Sequence, residues 1–348
     1  PGTVTDPMKG GVINPISVYP FPNFKAEQTK SYELGTNLRL FNNKINIDAT
    51  VYLTDTYNQT FLSSMSPASG YSGFYVQAGK VRNKGIELSL GYNDRFGKVG
   101  YATNLTYTAN RNKIMKMVHD YKNPSDGSLF SITELTLQDK GGVYLREKDA
   151  IGDVYVKGIL ARGKDGKLIE EEGGYKVDRS QRIKIGSVNP DFSIGWRHNV
   201  TWNNITLDLL FNGRFGGIVT SSTQAFLDDY GVSKDTYKAR QNGGVWVNGT
   251  QYDAEKYYTT IGGEQLMAYY AYKATNIRLQ EASLSYTLPG KWFGNVINRL
   301  TVSAIGRNLW MIYNKAPFDP EMTSSTGTYN RGDVFMPPSL RSVGFSVK

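Results

Sequence analysis

The sequence predicts an all-β protein, an antiparallel transmembrane β-barrel. Three observations carry that expectation. Segments of about 9–11 residues, long enough to cross a bilayer at a tilt, alternate apolar and polar side chains, so each has one greasy and one polar face. The connections between them alternate between short and long, the pattern of outer-membrane barrels. Aromatic residues gather at both ends of the segments, where amphipathic rings suit a membrane boundary.

Tyr32–Leu40 opens the series, with Tyr32, Leu34, Leu38 and Leu40 opposed by Glu33, Gly35, Asn37 and Arg39. The tight polar turn Phe41-Asn42-Asn43-Lys44 leads into Ile45, Ile47, Ala49, Val51 and Leu53, opposed by Asn46, Asp48, Thr50 and Tyr52. Ile86, Leu88, Leu90 and Tyr92 then pass through a turn at 94–98 to Tyr101, Thr103, Leu105 and Tyr107. Phe192, Ile194, Trp196, Val200 and Trp202 turn at Asn203-Asn204 into Ile205, Leu207, Leu209 and Phe211. Leu284, Tyr286 and Leu288 turn around Pro289-Gly290 towards Leu300, Val302 and Ala304, and Val343, Phe345 and Val347 close the series. Phase slips near Gln280-Glu281 and Ala304-Ile305 call for bulges. The total is about nine strands, each of membrane-crossing length.

Long polar stretches separate the pairs at 54–84, 110–191, 216–276 and 313–339, and these are expected to be extracellular loops. Phe41, Phe96, Trp202, Trp292 and Phe293 sit beside the short turns, and Tyr57, Trp310 and Tyr313 near the long ones. The alternative, rings capping the core of a soluble sandwich, does not account for the asymmetry of the connections.

Composition narrows the class further. There is no cysteine, so no disulfide framework and no thiol chemistry. No segment approaches the roughly 18 uninterrupted apolar residues of a membrane helix. The net charge of +9 comes from scattered lysines and arginines without a basic helix, which argues against nucleic acid. Cations at an outer rim would instead meet outer-membrane lipid and anionic lipopolysaccharide. The chain opens at Pro1 without a signal peptide, and nine is an odd count for a bacterial barrel. The expectation is therefore the final part of a larger barrel, residues 1–348 forming one barrel portion.

Several motifs resemble one family. Asn23-Phe24-Lys25-Ala26-Glu27-Gln28-Thr29-Lys30-Ser31-Tyr32-Glu33-Leu34-Gly35 resembles a segment of TonB-dependent receptors. Gly79–Leu88, with Asn83-Lys84-Gly85-Ile86-Glu87 at its centre, is similar to another. Ala150-Ile151-Gly152-Asp153-Val154-Tyr155 resembles a loop motif of the SusC/RagA branch. Gly186–Phe192, Tyr272–Tyr286, Gly306-Arg307-Asn308-Leu309 and Pro317-Phe318-Asp319-Pro320-Glu321 follow in the family's order. The final residue, Lys348, departs from the aromatic residue usual there.

The resemblance implies the last nine strands of a twenty-two-stranded barrel in the bacterial outer membrane, a size whose lumen is plugged. It also implies a plug domain and TonB box N-terminal to this chain. The implied function is active import of a bulky nutrient, an oligosaccharide or a peptide, energised through the TonB complex and assisted by a SusD-like surface lipoprotein. A passive porin or structural barrel is the alternative. No enzyme activity, cofactor or metal is expected.

Candidate ligand contacts lie in 216–276: Trp246, Tyr252, Tyr257, Tyr258, Tyr269 and Tyr270. Exposed rings stack on sugars or peptide side chains at little entropic cost. The same rings equally suit packing of loop against loop. Arg39, Arg197, Arg214, Arg278, Asp48, Glu87 and Asp208 fall on lumen faces or at their ends, where they would line a path or pair with one another. The two histidines, His119 and His198, lack the spacing of a zinc site. Gly243-Gly244 lacks the lysine of a phosphate loop, and Asn248-Gly249-Thr250 spells a glycosylation acceptor only in a eukaryotic secretory route.

Overall fold

The computed structural model describes residues 25–64, 73–122, 127–137, 143–294, 299–324 and 332–348. Nine strands of one antiparallel series run through the described residues: β1 (Gln28–Leu40), β2 (Ile45–Ser64), β3 (Gly73–Phe96), β4 (Val99–Lys116), β5 (Phe192–Trp202), β6 (Ile205–Phe215), β7 (Asn276–Leu288), β8 (Leu300–Asn314) and β9 (Ser342–Val347). Each is hydrogen-bonded to its neighbours in sequence, so the chain meanders up and down through one antiparallel series. The fold is the predicted all-β, antiparallel barrel type. Two compact units share it. The first comprises 1–37, 48–88 and 108–153, and the second 38–47, 89–107 and 154–348.

The alternation places side chains as the pattern requires, because residues paired across an antiparallel ladder share a face. In the second unit, Val200, Leu207, Leu284, Ala304 and Phe345 form one continuous cross-strand row. Trp202, Ile205, Tyr286, Val302 and Val347 form the next. The rows between them hold Thr201, Thr206, Ser285 and Ser303, with hydroxyl pairs at 3.3 Å (Thr201–Thr206) and 2.8 Å (Ser285–Ser303). One face is therefore oily and open, with Leu284 55% exposed, and the other is polar and internally bonded.

The short turns have local causes. Phe41, Asn42 and Asn43 all adopt positive φ (54°, 54° and 65°), which asparagine tolerates better than most residues. Asn203 does the same (φ 51°) in the two-residue β5–β6 hairpin. A 3₁₀ turn, Gly290–Phe293, reverses the chain after β7.

Two sequence expectations change. The stretch 54–84 is largely ordered strand, because β2 continues to Ser64 and β3 starts at Gly73. Its polar side chains still alternate; what changes beyond Leu53 is the solvent that they meet. The bulge at Gln280 is present: the β6 partner steps from Glu281 to Leu279. The second slip lies at 308–309 rather than Ala304-Ile305, which stay in regular register. Asn308 absorbs it with φ 51° and receives a 2.8 Å hydrogen bond from Gln280, so the two bulges face each other.

The first unit buries Phe61, Val76, Val81, Ile114, Met117, Leu135, Leu137, Leu145 and Ile151. Short strands at Glu134–Leu137 and Val143–Arg146 pair with each other, and Ser63 of β2 pairs with Leu137.

In the second unit, the connections between β4 and β5 and between β6 and β7 are not bare loops. They carry strands Asp153–Leu160 and Val177–Ser187 and three helices, α1 (Ser222–Asp229), α2 (Lys234–Gln241) and α3 (Ala254–Gly263). Ser221, Ser233 and Asp253 cap these helices, each accepting from the backbone N–H three residues on. Together they form a folded cap with its own core: Leu160, Leu168, Tyr175, Ala225, Tyr252, Ile261, Leu266 and Tyr270.

Candidate functional site

The cap explains itself from its residues. Short helices in water are marginal on their own, so burial of one face must hold them. Ala225 of α1 and Ile261 of α3 supply that face, meeting Tyr252 and Tyr270. Buried phenols need partners for their polar tips. The Tyr252 hydroxyl accepts from the Leu168 backbone N–H (3.0 Å), and that of Tyr269 from the Leu160 N–H (3.0 Å). Two of the cap's tyrosines thus stitch the 154–191 connection to the 216–275 connection.

These contacts sort the six candidate rings. Tyr252 and Tyr270 lie inside the core, the latter 1% exposed, so a ligand at the surface does not reach them; this corrects their placement among the contact residues. Tyr257, Tyr258 and Tyr269 are half-buried against the same core. Trp246 is 63% exposed, on a hairpin pairing Val245–Val247 with Thr250–Tyr252. Asn248 (φ 50°) and Gly249 (φ 77°) form its two-residue turn, a sequence suited to the twist of a hairpin. At Gly244 a Cβ would sit 2.4 Å from the Tyr252 carbonyl oxygen, so only glycine lets the strand close.

Burial in this core raises the phenol pKa values of Tyr257, Tyr258 and Tyr272 to about 12. It pushes up Tyr270 further, and it raises the nearby Asp228 carboxyl above its ordinary value. A cleft of about 440 Å³ opens beside α3, lined by Glu171, Glu172, Tyr175, Arg179, Thr259 and Glu264. Arg179 and Glu264 pair across it at 2.7 Å.

The charges expected on lumen faces divide into pairs and others. Arg197 meets Asp208 through two contacts at 3.0 Å, and Asn199 adds a third donor at 3.1 Å. Asp48 accepts from Asn37 at 2.7 Å. Arg214 donates to the Val188 carbonyl at 2.6 Å, and Arg39 to that of Leu38 at 3.4 Å. Glu87 lies on β3 among exposed residues.

Arg278 is the buried arginine among them. Its guanidinium meets Asp319 at 2.9 and 3.3 Å and the Asn276 side-chain oxygen at 3.1 Å. Ser339 donates to the same Asp319 at 2.5 Å. Burial works against the Asp319 carboxylate, but the Arg278, Ser339 and Glu321 N–H donors hold its pKa below the usual value. The partner of Arg278 thus sits in the Pro317–Glu321 motif, about forty residues on, a contact that no spacing in the sequence announces.

The histidines lie in different settings. His119 pairs with Glu147 at 2.5 Å, and His198 with the Tyr101 hydroxyl at 2.9 Å. Among the described residues, no cluster of three or more histidine or acidic groups is placed to hold a metal.

A wall of antiparallel strands with one oily face, carrying a structured cap at its long-connection end, is that of a transmembrane β-barrel. The family model for the TonB dependent receptor-like beta-barrel matches residues 5–212, more than half of the chain, and the chain belongs to that family. TonB-dependent receptor P3 of Formosa agariphila is 24% identical over 91% of this chain and 33% of its own length. TonB-dependent receptor P39 of the same organism is 21% identical over 89% and 34%. Among solved structures, the RagAB peptide importer in its open-open state superposes with TM-score 0.68 at 19% identity, covering 94% of this chain and 35% of that one. Its closed-closed state gives 0.66 at the same identity, with 92% and 35% coverage. The chain spans about a third of the length of these relatives.

Proposed function

We propose that the protein takes part in TonB-dependent import of a bulky nutrient, an oligosaccharide or a peptide, across the bacterial outer membrane. The observation that supports this most is the folded cap: two long connections share one hydrophobic core at the mouth of a wall from the TonB-dependent receptor family. An open pore has little use for such a core, whereas a receptor needs a rigid surface on which to hold cargo. A plug, a TonB contact and a SusD-like lipoprotein complete the reading. The RagAB structures, described as a peptide importer, support keeping peptide beside oligosaccharide.

The direct test is uptake of labelled oligosaccharides and peptides by cells expressing the full-length receptor, with and without TonB. Uptake that disappears without TonB supports import by this route. Uptake that persists points to a passive porin. Within the cap, Trp246→Ala combined with Tyr258→Ala is expected to weaken cargo binding while the barrel stays folded. Unchanged uptake by a folded double variant removes these rings from the ligand surface.

A further inference from the structure

The membrane-facing rows of β1–β4 change character at their long-connection ends. On β2 the apolar row Ile45, Ile47, Ala49, Val51, Leu53 continues in phase into Asp55 and Tyr57. On β3, Leu90, Leu88 and Ile86 continue into Lys84, Arg82 and Lys80. On β1, Leu34 and Tyr32 continue into Lys30, and on β4, Leu105 and Tyr107 continue through Ala109 into Arg111 and Lys113.

The opposite face fixes this phase independently. Ser31–Thr54 (2.9 Å), Thr29–Thr56 (3.4 Å) and Asn112–Asn83 (2.9 Å) bond across the lumen side, which leaves the cations on the outer side. Nine residues of β2 from Ile45 to Leu53 span about 27 Å along the strand. At the usual barrel tilt, that covers most of an apolar band roughly 25 Å tall. The cations therefore begin where hydrocarbon gives way to headgroups.

These cations are arranged rather than scattered. Asp55 grips Arg82 at 2.7 and 2.8 Å and Lys80 at 2.8 Å. The Lys30 and Lys80 ammonium groups sit 5.8 and 5.2 Å from the Tyr57 ring centroid. Six cations thus lie on these outward rows, two of them held by the Asp55 carboxylate. The matching rows of β5–β8 end in Phe192, Phe215, Ile277 and Tyr313, without cations.

The geometry points to a binding site for a phosphorylated, acylated glycolipid of the outer leaflet on the outer face of β1–β4, with its phosphates on Lys30, Lys80, Arg82, Lys84, Arg111 and Lys113. Its acyl chains lie along Leu34, Val51, Leu53, Ile86 and Leu88 below, and the exposed Tyr32 ring stands at the junction where a sugar would rest. Cations beside a charged lipid surface each strengthen attachment several-fold. The inference rests on the outer-membrane reading and adds a named lipid contact to it.

The test uses full-length receptor purified from outer membranes, with bound lipid counted by native mass spectrometry. Diphosphorylated lipid A is then titrated back onto delipidated receptor. The variant Lys30→Gln/Lys84→Gln/Lys113→Gln leaves the Asp55 cluster in place. It is expected to bind lipid A at least about tenfold more weakly, while the matching Lys→Arg variant binds as wild type. Equal binding by the Gln variant overturns the site. So does equal binding of dephosphorylated lipid A, or full displacement by inorganic phosphate or by an anionic polysaccharide lacking acyl chains. Heat-modifiable migration of the barrel in detergent gels is read in parallel. Its loss in wild type would count against the membrane reading itself, whereas its presence without lipid binding overturns only the site.

Discussion

The strand wall and the cap solve opposite problems with the same residue types. On β7 of the wall, Tyr286 stands 41% exposed in a row of apolar side chains, while Tyr270 of the cap, sixteen residues earlier, is 1% exposed. The wall satisfies its backbone through the ladder and turns its apolar side chains out, because its solvent is lipid. The cap lies in water and turns them in. Which way a tyrosine points is set by the medium at its level in the membrane.

The largest effects that would sharpen this contrast lie in the cap. Tyr270→Ala empties the centre of its core and is expected to cost about 3–5 kcal/mol of cap stability. Hydrogen exchange should then rise across 154–187 and 218–273 while β5–β8 keep their protection. Exchange rising equally in both would mean that the cap has no separate core. Asp319→Ala leaves the buried Arg278 guanidinium with the Asn276 oxygen and the more distant Glu321 carboxylate (3.9 Å), with an expected loss of about 3 kcal/mol. Removing both charges with Arg278→Met/Asp319→Leu should recover part of that, which a double-mutant cycle measures.

On the wall the sign reverses with the face. Leu209→Arg is expected to cost roughly 2–4 kcal/mol in folding titrations into lipid vesicles, because Leu209 sits mid-strand on the apolar face. Asn212→Ser on the polar face should change stability by less than about 0.5 kcal/mol. Equal tolerance at both would contradict the assigned faces.

Alkaline pH offers a milder probe. The phenols of Tyr257, Tyr258 and Tyr272 titrate near 12 in the folded cap, against 10.0 ordinarily. The unfolded cap therefore loses these protons first, so stability is full below pH 10 and falls as pH rises from about 10 to 12. Ultraviolet titration of phenolate should show at least four late groups, these three and Tyr270, and the Tyr270→Ala variant should shift the remaining three down. The smallest effect is at the hairpin turn. Asn248→Ala places a less tolerant residue at φ 50° and should cost about 1 kcal/mol, seen as faster proteolysis near Trp246.

The wall was legible because its signal is local and periodic. Ile45 to Leu53 declares its faces by alternation alone, and Asn203-Asn204 declares its turn. The bulge at Gln280 showed as a broken phase, but its companion at Asn308 did not, since the apolar phase slips earlier, at Ala304-Ile305, than the register does. The cap was missed for a different reason. Ser233-Lys234-Asp235-Thr236 and Asp253-Ala254-Glu255-Lys256 are readable helix starts, and Asn248-Gly249 is a readable hairpin. The helices they open are short, however, and their apolar faces become visible only once two distant connections meet. The Arg278–Asp319 pair is beyond any local pattern, because its two halves are joined by folding and not by spacing.

Asp319 also anchors the connection between β8 and β9. It holds β7 through Arg278 and the approach to β9 through Ser339, while the Ser324 hydroxyl donates to the Gly332 carbonyl at 3.0 Å. A connection pinned in this way can change in composition without disturbing the strands that flank it. A framework of this kind can keep its membrane-embedded strands as an inheritance while its connections diverge.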